Sequence, residues 1–139
     1  QVDDFDKNDY LDIIPSVGDM SYETMFRESS LMVTDFSGIQ FDFAYMRKPL
    51  VYLHHKDIPQ HYEEGTFFYD TMAFGEIAHD NDELIDLLCE YMASGCKMKE
   101  EYVRRADDFF YYNDHNNCKR IYDTMIEYQE KKILPYRQK

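Results

Sequence analysis

A short run of hydroxyl, carboxyl and glycine residues has the composition of a phosphate-binding turn. Thr34-Asp35-Phe36-Ser37-Gly38 follows the apolar run Leu31 to Val33 and precedes a second stretch rich in apolar side chains. If a strand ends at Thr34 and a helix begins near Gly38, the first N–H groups of that helix have no partner within it. The helix dipole favours negative charge at the same end, so the run is a candidate cradle for phosphate.

The same residue types have a simpler explanation as helix caps. Ser, Thr and Asp are preferred N-cap residues and would occur here without any ligand. The carboxylate of Asp35 would repel phosphate unless a cation or a sugar hydroxyl lay between them, so we expect Asp35 to cap the helix or to stiffen the turn. Asp42 lies between Phe41 and Phe43, where burial of an unpaired charge would be costly. It should therefore cap another backbone group or face a polar cleft.

Two apolar runs predict the parallel strands that would position this turn. Leu31 to Val33 and Pro49 to Leu53 have the composition of strands buried on both faces. The predicted helix between them, Ile39 to Met46, is apolar around much of its circumference, so we expect it to pack on the sheet. A right-handed crossover would join the strands. Ligands of open α/β sheets bind at the carboxyl ends of the strands, where the turn would lie.

The rest of the chain predicts a lead-in, a loop and more helices. Residues 1–18 are predicted to be a truncated lead-in, and a helix over residues 19–29 could be capped by Ser21. Residues 54–69 are predicted to be a loop; the histidines at positions 54, 55 and 61 are more typical of solvated or hydrogen-bonded side chains than of metal ligands. Three amphipathic helices are expected to follow, beginning at residue 81 with Gly95 as C-cap, and spanning residues 97–112 and 116–132.

Composition limits the classes of partner. The 139 residues contain 28 acidic and 15 basic side chains, and the net charge of −13 argues against nucleic acid as a partner. Cys89, Cys96 and Cys118 are odd in number and form no Cys-x-x-Cys pair, so neither a disulfide framework nor a structural zinc site is expected. Without a signal-peptide pattern, or an apolar run near the roughly 20 residues of a membrane span, the sequence indicates a cytoplasmic protein.

The ordered residues from 34 to 49 resemble a family motif. Thr34 to Gly38, Phe41 to Ala44, and Lys48-Pro49 before an apolar strand are similar to the T-D-Y-S-S, F-D-[FY]-A and [KR]-P pattern of the CDP-glycerol glycerophosphotransferases. That family contains bacterial teichoic-acid polymerases and primases, with relatives in capsule synthesis. The likeness continues through residues 57–70 and an acidic helix near residues 81–88, so it covers most of the chain.

This resemblance implies an α/β fold, with a Rossmann-like parallel sheet flanked by helices and a helical C-terminal segment. Residues 1–139 would form a single partial domain, the nucleotide-donor-binding half of a GT-B transferase. The resemblance implies that the hydroxyl-bearing turn lies at the donor diphosphate and that the acidic helix position belongs to the same site. It assigns no catalytic residue and requires no metal or other cofactor. The implied donor-binding residues are Thr34, Asp35, Ser37, Gly38 and Asp42.

The implied reaction transfers glycerol phosphate from CDP-glycerol to a growing polymer or lipid-linked acceptor. Acceptor and general base would come from the other half of the full-length protein, as would any peripheral contact with the inner membrane face, so the 139 residues alone should be inactive. Gly38 replaces a motif serine, Glu63-Glu64 replace an arginine, and residues 73–76 replace a Pro-Gly-Pro turn. A related alditol phosphate or a nucleotide sugar is therefore an open alternative donor. A non-catalytic α/β interaction domain, a degenerate relative, is the alternative function.

Overall fold

Three parallel strands and six helices make up the part of the chain that the structure, a computed structural model, describes: residues 10, 11, 14, 21–57 and 67–131. The strands form one sheet in the order β1-β2-β3. They are β1 (Met32–Thr34), β2 (Leu50–Leu53) and β3 (Glu76–Ala78). The helices are α1 (Tyr22–Glu28), α2 (Ile39–Tyr45), α3 (Tyr69–Met72), α4 (Asn81–Ala93), α5 (Glu100–Phe109) and α6 (Asn117–Glu130). The predicted fold class is confirmed. The predicted lead-in falls almost entirely outside the described residues.

β1, α2 and β2 form the predicted βαβ unit. Val33 pairs with Val51 in a parallel register, and Asp42 is the one exposed residue among the seven of α2. The helix therefore packs around much of its circumference, as expected. β2 is buried over its first three residues, but the prediction that β1 is buried on both faces is wrong, because Val33 is 44% exposed. Val33 shares a sheet face with Val51, and α4 packs on that face over β2 and β3.

Helices cover both faces of the central strand. Leu50 and Tyr52 pack with buried residues of α2 and α5 on one face. Val51 points to the opposite face and packs with Tyr91 of α4. The alternation along β2 thus divides the core into two layers, and apolar burial of this kind stabilises the fold in proportion to the area removed from water.

β3 and α3 were not predicted from the sequence. Gly75 immediately precedes β3, and a Cβ atom there would lie 1.8 Å from the carbonyl oxygen of Leu50. Only glycine therefore allows this close approach of β3 to β2. Glu76 begins the strand; its carboxylate accepts a hydrogen bond from Tyr91 Oη at 2.5 Å and forms an ion pair with Lys99.

α4 begins with a variant of the capping box, in which the Glu83 side chain reaches back to the residue before the N-cap Asp80. Asp80 Oδ1 accepts from the Glu83 N–H at 2.9 Å, and the Glu83 carboxylate accepts from the His79 N–H at 2.8 Å. Two otherwise unpaired N–H groups are therefore satisfied within the chain. Ser94 is the C-cap, and Gly95, the predicted C-cap, lies one residue further with a φ of 76°.

The remaining helices differ from the predictions mainly at their ends. Ser21 caps α1 as expected, with its Oγ accepting from the Thr24 N–H at 3.2 Å. α5 is shorter than predicted at both ends, and α6 begins after its N-cap Asn116. No helix among the described residues has the length and apolar character needed to cross a membrane. The three cysteines carry free thiols.

Candidate functional site

The carboxyl ends of the three strands bring polar and aromatic side chains to one edge of the sheet. β1 leads into the 34–38 turn, β2 into His54 and β3 into His79. The His54 N–H donates to the Ala78 carbonyl at 2.9 Å, which holds the ends of β2 and β3 together. The ring of Phe36, in the turn, stacks on the His54 imidazole with centroids 4.1 Å apart. The turn and the ends of the two following strands therefore form one continuous surface.

The 34–38 turn is stabilised by its own side chains. Asp35 Oδ1 accepts from the Ser37 N–H at 3.0 Å, so Asp35 stiffens the turn, which is one of its two predicted roles. Ser37 Oγ accepts from the Ile39 N–H at 3.5 Å. Gly38 is the N-cap of α2 and offers no side chain to cap it. Thr34 is half-buried at the end of β1, opposite Tyr52 in the ladder.

Two hydrogen-bond donors in this turn can point toward an anion. Because Ser37 Oγ acts as an acceptor toward Ile39, its hydroxyl hydrogen can be donated elsewhere. The Gly38 N–H takes part in none of the hydrogen bonds found in residues 21–57 and 67–131. A Cβ atom built on Gly38 would meet nothing within 4 Å, so the space around it is open. The Ser37 N–H, by contrast, is already used by Asp35.

Asp42 lies one turn beyond Gly38 on α2 and is exposed. In the part of the chain that is described, its carboxylate caps no backbone group. The cost of burying a bare charge therefore does not arise at this position, contrary to the concern raised by its apolar neighbours Phe41 and Phe43.

A cavity of about 450 Å³ adjoins the turn. Aromatic rings and basic or titratable side chains form its walls, and one of them, Phe36, directly precedes Ser37 in the chain. The lining residues are Phe36, His54, His55, Lys56, Phe67, Phe68, Tyr69, Asp70, Ile77 and His79. A second cavity of about 640 Å³ shares Tyr69, Asp70, Ile77 and His79 and extends to α4 and α5. Glu76, Glu83 and Asp86 make the second cavity strongly acidic, although Arg105 also lines it.

His54 differs from the predicted solvated or hydrogen-bonded histidine. Its ring stacks on Phe36 and lies beside the nearly perpendicular ring of Tyr69, whose centroid is 4.6 Å away. Its Nε2 is buried without a hydrogen-bond partner among the described residues. Burial lowers the pKa of His54, the nearby His79 lowers it further, and Asp35 acts in the opposite direction. The side chain is therefore neutral at neutral pH.

The neighbouring histidine behaves as predicted. His55 Nδ1 accepts from the Asp57 N–H at 3.2 Å and lies 3.4 Å from the Asp57 carboxylate, so His54 and His55 have different surroundings. Across the described ranges, no three His, Cys, Asp or Glu side chains come together as a group that could hold a metal ion. His61, Tyr62 and the Glu63-Glu64 pair lie outside those ranges.

A buried amide joins α2 to the cavity wall. Gln40 is 3% exposed, and its side chain bonds to two phenols. Its Oε1 accepts from Tyr52 Oη at 2.7 Å, and its Nε2 donates to Tyr69 Oη at 3.2 Å. The Phe74 N–H donates to Tyr52 Oη at 3.2 Å. Burial raises the pKa of Tyr52, so its hydroxyl stays protonated and remains a donor. Sequence reasoning missed Gln40, because one glutamine in an apolar helix has no periodic signature.

Lys48 of the motif lies at the opposite edge of the sheet. It precedes β2, and its ammonium donates to the carbonyls of Phe26, Arg27 and Ser29 at 2.6 to 2.7 Å. These carbonyls belong to the C-terminal end of α1, which has no intrahelical donors for them. Lys48 therefore joins α1 to the βαβ unit and lies away from the candidate site.

Comparison with known proteins identifies relatives of the chain. The minor teichoic acid biosynthesis protein GgaB of Bacillus subtilis (strain 168) is 35% identical over 133 residues, which cover 96% of this chain and 14% of that protein. The chain thus spans a small part of the length of the curated relative it matches. No solved structure matches. The family model described as CDP-Glycerol:Poly(glycerophosphate) glycerophosphotransferase matches residues 1–127. On that match, which covers most of its length, the chain belongs to the CDP-glycerol:poly(glycerophosphate) glycerophosphotransferase family.

Proposed function

We propose that this chain is the donor-nucleotide-binding part of a GT-B transferase. The full-length enzyme would move glycerol phosphate, or a related alditol phosphate or sugar, from a CDP-linked donor to a cell-wall or capsule polymer. Family membership and the teichoic acid relative support the transferase chemistry. The observation that carries the donor site is the Gly38 N–H at the start of α2, which has no partner among the described residues and lies at the carboxyl edge of a parallel sheet.

The donor diphosphate is proposed to lie against Ser37 and Gly38. The acceptor hydroxyl attacks the β-phosphorus and forms a new P–O bond, while the bond from that phosphorus to the bridging oxygen breaks and CMP leaves with the electron pair. The hydroxyl proton passes to a base proposed to lie elsewhere in the full-length protein. The Ser37 hydroxyl and the Gly38 N–H would donate to the phosphate oxygens and stabilise the charge that develops during transfer.

The cavity beside the turn is proposed to hold the cytidine. Phe36 and Ser37 are adjacent in the chain, so a diphosphate at Ser37 places the attached nucleoside next to the aromatic wall. Phe68 is 52% exposed and lines the cavity, and an exposed aromatic face can stack any nucleobase. His55 and Lys56 supply polar contacts to the base or the ribose.

The two carboxylates are proposed to have separate roles. Asp35 accepts the Ser37 N–H and so keeps the Ser37 hydroxyl in place before the donor arrives. Asp42 is exposed one turn further along α2 and is proposed to orient the donor through a sugar or glycerol hydroxyl, which can lie between a carboxylate and the phosphates. Thr34 completes the predicted donor-binding set at the end of β1.

An NMR titration of the 139-residue protein tests the proposal. CDP-glycerol and CDP should shift the amide signals of residues 34–42 and of the cavity wall, and glycerol phosphate alone should not. Ser37→Ala should weaken CDP-glycerol binding about fivefold, which corresponds to one hydrogen bond of about 1 kcal/mol. Ser30→Ala is the matched control, because Ser30 is exposed and precedes β1 at the opposite edge of the sheet.

Two results would contradict the proposal. Unchanged spectra with CDP, CDP-glycerol and UDP would favour the non-catalytic interaction domain. Equal loss of affinity in Ser37→Ala and Ser30→Ala would mean that the hydroxyl at the turn has no specific role. Larger amide shifts with UDP than with CDP would support a nucleotide site at this position but indicate a uridine-linked donor.

A further inference from the structure

We propose that Gln40 is a positioning residue of the candidate site, which holds the Tyr69 phenol in the wall of the 450 Å³ cavity. Gln40 itself is not among the residues that line this cavity. Its effect on donor binding rests on the proposed function, whereas its effect on the cavity wall depends only on the fold.

The hydrogen-bond network fixes the orientation of the Gln40 amide. Tyr52 Oη already accepts from the Phe74 N–H, so the hydroxyl hydrogen of Tyr52 is donated to Gln40 Oε1. The amide nitrogen must then face Tyr69. Because a buried amide is costly unless its groups are bonded, this arrangement ties α2 firmly to Tyr69.

Tyr69 needs this tie because its own element is short. It begins α3, a single turn of four residues whose N-cap, Phe68, makes no side-chain cap bond. A helix of this length has little stability of its own. The ring of Tyr69 nevertheless packs closely on its neighbours, with centroids 5.1 Å from Tyr52 and 5.7 Å from Phe36. The Gln40 bond supplies a directional contact from a packed helix.

The position of Tyr69 controls the surroundings of His54. Phe36 stacks on one face of the imidazole, and the Tyr69 ring lies beside it with an interplanar angle of 84°. A shift of Tyr69 would admit water to His54, whose charged form burial now disfavours. The other titratable groups near this ring are His79 and Asp35, and neither is removed by a change at Gln40. Lys56, Asp70 and His55 line the same cavity.

The test is a pH titration of His54 by NMR in the 139-residue protein without any ligand. In Gln40→Met and in Tyr69→Phe, the His54 pKa should rise toward that of an exposed histidine, and its ring-proton signals should lose part of their ring-current shift. Tyr91→Phe is the matched control, since it removes one phenol oxygen from a buried side chain of the opposite core layer, where that oxygen bonds to Glu76. That variant should leave the His54 titration unchanged.

These measurements test the positioning role of Gln40 independently of the proposed donor-binding function. An unchanged His54 titration in both Gln40→Met and Tyr69→Phe would overturn it, and so would an equal shift in Tyr91→Phe, which would indicate general loosening of the core. If Gln40→Met does not fold, Tyr69→Phe decides, because it removes a single oxygen atom. A shifted His54 in a protein that binds no CDP-glycerol would support the positioning role while the donor site fails.

Discussion

Substitution of Gly75 by alanine should separate β3 from the sheet. The new Cβ would lie 1.8 Å from the Leu50 carbonyl oxygen and 2.8 Å from its carbonyl carbon, and both are backbone atoms that no rotamer change can move. Close carbon–oxygen contacts lie at about 3.3 Å, so the strands must move apart by about 1.5 Å. A ladder hydrogen bond near 2.9 Å would then exceed its useful range.

The expected loss follows from the contacts at this end of β3. Val51 pairs with Glu76 directly after Gly75, and Phe74, fully buried, directly precedes it. Loss of one or two ladder bonds at about 1 kcal/mol each, together with poorer packing of Phe74, gives about 3 to 4 kcal/mol of lost unfolding free energy. Urea denaturation followed by circular dichroism measures this quantity.

Gly38→Ala is the matched control for Gly75→Ala. A Cβ at Gly38 meets nothing within 4 Å, and its φ of −64° suits alanine, so the unfolding free energy should change by less than about 1 kcal/mol. A Gly75→Ala protein within 1 kcal/mol of the parent would refute the steric reasoning. It would mean that β3 can shift without loss of its pairing.

Three further predictions concern charged and titratable side chains. Lys48→Met should lower the unfolding free energy by about 2 kcal/mol, because three carbonyls at the end of α1 lose their donor. Lys97→Met, a change at an exposed side chain, should leave the unfolding free energy unchanged. Equal losses in the two variants would contradict the capping role of Lys48. Arg120 lowers the pKa of Asp114 to about 2. The stability that this pair contributes is therefore present above about pH 4 and is lost as the pH falls toward 2. Asp114→Asn should remove this part of the pH dependence of the unfolding free energy. Because the pKa of His54 is lowered in the folded protein, the unfolded chain binds a proton at His54 at a higher pH than the folded protein does. The unfolding free energy should therefore fall as the pH drops below about 6.5. In urea denaturation at several pH values, His54→Gln should reduce this fall.

The sequence alone was sufficient to predict those elements whose sequence signals are local. The βαβ unit has two apolar runs separated by a helix-length segment, and Ser21 caps α1 through a bond three residues away. β3 is different, because it has three residues and begins with Glu76. Its strand conformation comes from pairing with β2 and from the close approach at Gly75, neither of which has a local signature.

The same distinction applies to the candidate site. Asp35 bonds two residues ahead, so its stiffening of the turn could be predicted from spacing. The cavity wall could not, because Phe36, His54 and Tyr69 are separated along the chain and meet only when the strand ends align. Gln40 was overlooked for a related reason, since its partners lie 12 and 29 residues away.

The capping box of α4 has a consequence for selectivity between anion positions. α2 and α4 both begin at the carboxyl edge of the sheet, but at the start of α4 the Glu83 N–H and the preceding His79 N–H are already bonded to carboxylates of the same chain. If the donor diphosphate binds at α2 as proposed, these carboxylates would repel it from the start of α4. Asp80 and Glu83 would thus act by exclusion, since their negative charge disfavours a second anion position along this edge.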